Sequence, residues 1–183
     1  MYKPLLKKHY EETVMEQLRK SRNYKNRHQI PVIEKVVINS GLDASADKGW
    51  IKDVIKDISS ITGQQPVTTK ARESISNFKL RKGMINGVKV TLRGNQMYDF
   101  LLRFMSIALP NVRDFRGVSS KLDGSGNYNI GVVDHSIFPE ISVEGGKGNL
   151  GMDITIVTSA DNDDEGRELL KLMGMPFRKA SSN

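Results

Sequence analysis

At 183 residues, with 38% hydrophobic and 27% charged side chains, the chain is long enough to bury a real core and is not disordered by composition. Its formal charge of +7 favours a polyanionic partner such as RNA, DNA or an anionic membrane surface, and the absence of cysteine excludes disulfides, zinc ribbons, iron–sulfur clusters and cysteine nucleophiles. No apolar run approaches the roughly 20 residues of a membrane span, and the first residues lack the apolar core of a signal peptide, so a soluble, cytoplasmic chain with no membrane partner is expected.

In chain order, Leu6, Tyr10, Val14 and Leu18 recur at helical spacing and predict an amphipathic first helix ending near Asn23. Pro31 opens a run of strand composition from Val32 to Ser40, closed by Gly41, along which Ile33, Lys35, Val37 and Asn39 share a face. Ile51, Val54, Ile55 and Ile58 mark a second helix stopped by Gly63, and a short extended piece follows around Val67. Val88, Val90 and Leu92 alternate with Lys89, Thr91 and Arg93, the mark of a strand buried on one face. Asn95 is placed to cap a third helix with Phe100, Leu101, Phe104 and Ala108 facing inward and Pro110 at its end. Tyr128 to Val133 and Met152 to Thr158 predict two further strands, and the acids from Asp161 to Glu165 suit the positive end of a last helix. The order predicts one α+β domain over residues 1–183, a two-layer sandwich whose mostly antiparallel sheet has helices on one face and a binding surface on the other.

Charge is unevenly placed. Residues 66–93 hold Lys70, Arg72, Lys79, Arg81, Lys82, Lys89 and Arg93 against the single acid Glu73, whereas residues 140–170 are rich in acids, so a bipolar molecule with an electropositive working end is expected.

A search for catalytic groups returns none. Gly146-Lys147-Gly148-Asn149-Leu150-Gly151 fits the spacing of a dinucleotide fingerprint but runs into a strand instead of opening a helix, which reads as a glycine-rich hairpin or loop. Asp134-His135-Ser136 are neighbours on an extended chain and point to opposite faces, so they cannot form a relay. His9 and His28 have no carboxylate at ligand spacing, and Asp163 and Asp164 read as helix-start acids. Neither metal nor cofactor is expected.

If the two central strands share a sheet, Lys35, Asn39, Lys89, Thr91 and Arg93 form one platform on which cations take phosphates while Asn and Thr bond 2′-hydroxyls and base edges. Alternation alone suits a solvated face equally well; the one-sided charge favours RNA. Between these strands runs Gln64-Gln65-Pro66-Val67-Thr68-Thr69-Lys70-Ala71-Arg72, then a loop with Ser76, Asn77 and Phe78 beside Lys79, Arg81 and Lys82. Phenylalanine usually packs inward, but an aromatic among cations can stack on an exposed base, and the loop composition favours that role here. Arg113-Asp114-Phe115-Arg116 reads as an exposed mixed-charge loop, suited to packing or to partner contact.

Across nearly the whole chain the sequence resembles the bacterial-type large-subunit ribosomal protein five family. The matching stretches, in order, are Glu34-Lys35-Val36-Val37-Ile38-Asn39-Ser40-Gly41, Ile61-Thr62-Gly63-Gln64-Gln65-Pro66, Thr69-Lys70-Ala71-Arg72, Lys89-Val90-Thr91-Leu92-Arg93-Gly94, Arg113-Asp114-Phe115-Arg116-Gly117, Gly126-Asn127-Tyr128, Ile137-Phe138-Pro139-Glu140 and Pro176-Phe177-Arg178. The resemblance implies a non-enzymatic constituent of the large ribosomal subunit. It implies that the sheet face, with Gln64, Gln65, Thr69, Lys70 and Arg72, grips 5S rRNA in the central protuberance. It also implies that the loop of Ser76, Asn77, Phe78, Lys79, Arg81 and Lys82 approaches P-site tRNA, and that Arg113, Asp114, Phe115 and Arg116 meet a small-subunit protein in an intersubunit bridge. Larger rRNA of the 23S type and other 5S-binding proteins are implied neighbours. Two departures stand out: Asn77 occupies a position often filled by glycine, with a left-handed backbone expected there, and residues 142–150 match poorly.

Overall fold

A computed structural model describes residues 2–43, 47–141 and 150–178. Strands β1 (Ile33–Gly41), β2 (Val67–Lys70), β3 (Ile85–Leu92), β4 (Tyr128–Val132) and β5 (Met152–Thr158) form an antiparallel sheet in the order β2-β3-β1-β5-β4. Helix α1 (Leu5–His9) continues through a π-helical turn (Tyr10–Val14) into α2 (Met15–Arg22); α3 (Lys48–Thr62) follows β1. Helix α4 (Gly94–Arg103) runs into a second π-helical turn (Phe104–Ala108), and α5 (Asp163–Leu172) follows β5. This is the α+β architecture expected from the order of elements. The glycine-rich stretch lies outside the described residues except for Leu150 and Gly151.

Alternation decides which sheet face meets the helices. Val36 and Ile38 of β1, Val88, Val90 and Leu92 of β3, Ile154 and Ile156 of β5, and Tyr128, Ile130 and Val132 of β4 are all buried, while the residues between them are exposed or half-buried. The helical layer adds Phe100 and Phe104, which with Phe138 form an aromatic triangle with ring centroids 5.9, 6.1 and 6.2 Å apart.

Both π-helical turns have a common cause in the sequence. Leu6, Tyr10, Val14 and Leu18 repeat every four residues, as do Phe100, Phe104 and Ala108, and all are buried. In a helix of 3.6 residues per turn a strict spacing of four drifts by about 40° per step. A wider turn with i→i+5 bonding absorbs that drift and keeps every apolar side chain facing the core.

Three local expectations are corrected. Register slips between Ile33 and Lys35, so Ile33, 4% exposed, turns inward with Val36 and does not share the face of Lys35, Val37 and Asn39. Helix α4 starts at Gly94 with Arg93 as its N-terminal flank and no side-chain cap. Asn95 instead lies within the helix, its amide donating to the Tyr2 carbonyl at 3.2 Å and so tying the N-terminal segment to α4. In the loop, Asn77 sits inside a 3₁₀ turn (Ser76–Phe78), and the left-handed residue is Lys79, with φ 52°.

The last helix is docked by polar contacts. Its first-turn acid Asp163 accepts from the Gly124 and Gly126 amides at 2.9 and 3.0 Å, while Glu168 accepts from the Ser21 hydroxyl and, at 2.8 Å, from the Arg22 guanidinium. Those donors, Ser21 foremost, hold the Glu168 carboxyl below its ordinary value. Gly166 permits the approach: a Cβ there would meet the Gly126 carbonyl at 2.5 Å. Gly166→Ala is therefore expected to destabilise the protein by about 2 kcal/mol in urea unfolding, against the direction of helix propensity. A carboxyl depressed in the folded state adds stability at neutral pH that is lost as pH falls through its folded value. Glu168→Gln should consequently lower the urea midpoint near pH 7, with the gap to the parent protein closing as the solution is acidified.

Candidate nucleic-acid interface

Antiparallel register builds the open face in rows. Asn39 of β1 lies opposite Lys89 of β3, Val37 opposite Thr91, and Val67 of β2 lies opposite Lys89, with Thr69 opposite Gly87. Lys35, Asn39, Lys89 and Thr91 thus stand on one surface, as their spacing predicts, and Arg93 follows Thr91 at the exposed end of the strand. Among the described residues, none of Lys35, Lys70, Arg72, Lys79, Arg81, Lys82, Lys89 or Arg93 is in an ion pair. Their positive charge remains available to an external anion.

The turn after α3 brings Gln64 and Gln65 to the same sheet. Gly63 adopts φ 70° and stops the helix, and the Thr62 hydroxyl donates to the Ile58 carbonyl at 2.7 Å while accepting from the Gln64 amide at 3.3 Å. Arg103 of α4 donates to the Ile61 carbonyl at 3.0 Å and pairs with Glu140, pinning the end of α3. Both glutamines are exposed, and Pro66 between them and β2 is buried. Because β2 and β3 are antiparallel, the start of β2 lies beside the Thr91 and Arg93 end of β3. Thr69 directs its hydroxyl to the Asn86 side chain at 3.1 Å.

Lys70 and Arg72 lead off the sheet into a separate projection. Reciprocal bonds between residues 71 and 83–84 close its neck, and Ile75 and Leu80 exchange backbone bonds of 2.9 and 3.1 Å just below its tip. The Ser74 hydroxyl accepts from the Lys82 amide at 3.0 Å. Phe78 at the tip is 69% exposed, so it does not pack into the core, and Ser76, Asn77, Lys79, Arg81 and Lys82 are exposed around it. The basic stretch therefore divides into a flat face and a protruding tip.

The third expected site lies elsewhere. Arg113, Asp114 and Arg116 are exposed and Phe115 is half-buried on a loop where Asp114 has φ 55°. Phe115, Val112 and Arg113 line one side of a groove of about 710 Å³, and Ile130, Val132 and the 82%-exposed Val133 line the other.

Two features escape linear reading. Asp153 and Thr155 of β5 and Asn129 of β4 share the open face, because Asn39 also pairs with Asp153, and Thr155 with both Val37 and Asn129. The alternation of Met152, Ile154 and Ile156 assigns Asp153 and Thr155 to one side of their strand, but only strand order puts Asp153 in line with Lys89, across Asn39. His135, in the sequence one of three neighbouring polar residues, is a buried structural group: its Nδ1 accepts from the Leu150 amide at 3.3 Å and its Nε2 lies 3.8 Å from Asp57. Asp134 caps its own turn through the Ser136 amide at 2.9 Å. Among the described residues, no group of three His, Asp or Glu side chains could hold a metal, and no helix is long and apolar enough to cross a membrane.

Residues 26–81 match the family model for ribosomal protein L5, and residues 85–177 match that for the ribosomal L5P family C-terminus. The sheet takes β1 and β2 from the first stretch and β3, β4 and β5 from the second. Among curated relatives, the large ribosomal subunit protein uL5 of Halothermothrix orenii is 50% identical over 177 residues, 96% of this chain and 99% of that protein. Its counterpart from Protochlamydia amoebophila is 52% identical over 174 residues, 94% of each chain. That of a Synechococcus strain is 51% identical over 175 residues, 94% of this chain and 98% of the relative.

An exposed tip residue has no core packing to lose on truncation. Phe78→Ala is expected to leave the thermal midpoint of the free protein within the small range of ordinary surface changes, about 0.5 kcal/mol, as read by circular dichroism.

Proposed function

The chain belongs to the ribosomal protein L5 family and is a structural constituent of the large ribosomal subunit, not an enzyme; from that premise we propose that its uncovered sheet face is a permanent seat for 5S rRNA. The observation that carries this reading is the cross-strand row in which Lys89 stands opposite Asn39, beside Thr91, on a face that the helical layer leaves free. Lys35, Lys89 and Arg93 take phosphate charge, while Asn39 and Thr91 supply neutral donors and acceptors for 2′-hydroxyls and base edges. Gln64 and Gln65 extend the seat beyond the start of β2, and Thr69, Lys70 and Arg72 extend it toward the tip. In this reading residues 1–183 act as one 5S rRNA-binding domain.

The tip with Ser76, Asn77, Phe78, Lys79, Arg81 and Lys82 is assigned to P-site tRNA. An exposed aromatic ring ringed by unpaired cations suits a passing nucleic-acid surface, stacking on a base or ribose while neighbours neutralise phosphate. The loop of Arg113, Asp114, Phe115 and Arg116, beside its groove, is assigned to a small-subunit protein in an intersubunit bridge. Larger rRNA of the 23S type and other 5S-binding proteins complete the surroundings.

Electrostatic seating predicts strong salt dependence. Lys89→Glu with Arg93→Glu should abolish binding to 5S rRNA transcripts in filter-binding assays and release the protein from large subunits during sedimentation, with the fold intact by circular dichroism. Unchanged affinity in that double variant would remove the sheet face from consideration.

A further inference from the structure

Antiparallel register places Asn39 opposite Lys89 on one side and opposite Asp153 on the other, with Gly131 beyond Asp153. One row across the open face therefore reads exposed Val67, cation, amide, carboxylate, glycine. The adjacent row is Thr91, Val37, Thr155 and Asn129, without charge. The Asp153 carboxylate leans over Gly131, where an added Cβ would lie 3.5 Å from its Oδ1. Asp153 is exposed and, among the described residues, has neither an ion pair nor a side-chain hydrogen bond.

A carboxylate on an RNA-binding surface has a definite consequence. Lys89 stands two strand spacings away, about 10 Å between backbones, so Asp153 is not neutralised by direct contact. It accepts hydrogen bonds and donates none; facing a phosphate it repels, and covered by RNA without a donor it forfeits its hydration. An RNA lying across this row must keep its phosphates toward β2 and β3 and offer a neutral donor over β5. Folded RNA offers such donors in the N–H groups of base edges, the exocyclic amines of adenine, guanine and cytosine and the imino groups of guanine and uracil, and in the ribose 2′-hydroxyl.

We propose that Asp153 is a specificity-determining residue of the sheet face: it accepts a neutral RNA donor, rejects phosphate, and thereby sets which way the RNA lies across the sheet. Thr155 and Asn129, on the same surface, extend the neutral half of the site to the β4 edge. This inference rests on the sheet-face reading above.

The test compares the full-length protein, Asp153→Asn, and Lys89→Glu with Arg93→Glu, each titrated with 5S rRNA and with an unrelated structured RNA of similar length. Asn preserves size while removing the charge, and circular dichroism melts verify the fold. Asp153→Asn is expected to lose about tenfold on 5S rRNA while gaining on the unrelated RNA, so that preference collapses. An equal gain on both RNAs, an equal loss on both, or no change on either overturns the proposal. Failure of the double lysine–arginine variant to lose 5S rRNA would instead remove the underlying sheet-face reading. Two further arms separate the donors: 5S transcripts with single base analogues that each lack one N–H donor, guanosine to inosine among them, and transcripts with single 2′-deoxy replacements, all at the nucleotides the protein protects. The replacement that weakens the parent protein but not Asp153→Ala, which offers no acceptor, identifies the donor; if every replacement weakens both proteins alike, the acceptor role is overturned.

Discussion

The working surface depends on β1 being hydrogen-bonded on both sides in one register. Its partners β3 and β5 lie far from it in sequence, yet both present branched apolar residues to the same side, so burial of Val36 and Ile38 can be completed only with Val90 and Leu92 on one flank and Ile154 and Ile156 on the other. A slip of one residue would expose that whole set and bury Lys35, Asn39 and Lys89. The hydrophobic requirement of one face thus sets the order of functional groups on the other. No separate device is needed to align Lys89, Asn39 and Asp153.

Helices support this arrangement at the points where it would otherwise be loose. Arg103 on α4 holds the Ile61 carbonyl at the end of α3, which fixes the turn that delivers Gln64 and Gln65. The two π-helical turns keep four-residue repeats of apolar side chains on the core side, and the aromatic triangle of Phe100, Phe104 and Phe138 fills the space between layers. On the other side of the molecule, Glu168 and Asp163 dock α5 through directed bonds, consistent with the acidic half of the chain serving structure while the basic half stays unpaired.

The division of the basic stretch follows from local chain geometry. On β3, Lys89 and Thr91 alternate with buried Val88, Val90 and Leu92 and lie flat; where pairing ends at residue 71, the chain projects and carries Phe78 and its neighbours away from the sheet. A flat polar surface and a protruding aromatic tip suit different tasks, a lasting seat and an intermittent contact. In the function proposed above, ribosomal RNA is the occupant of the first.

Much of this was legible in the chain alone. Period-two alternation identified β3 and its buried side, and glycine and asparagine at positions 63 and 23 marked helix ends, because these are consequences of backbone geometry within a few residues. The bulge that turns Ile33 inward was not legible, since it answers a demand made by distant packing, and the four-residue spacing behind the π-helical turns, although written in the sequence, widens the helix only where it must face a core. The same holds for Asp153: its side of the strand was written in its neighbours, but its place in line with Asn39 and Lys89 exists only once β5 has closed on β1. Sequence by itself determined which residues turn outward and what charge they carry. Tertiary structure decided which of them became neighbours, because strand order and register are settled by burying the opposite face.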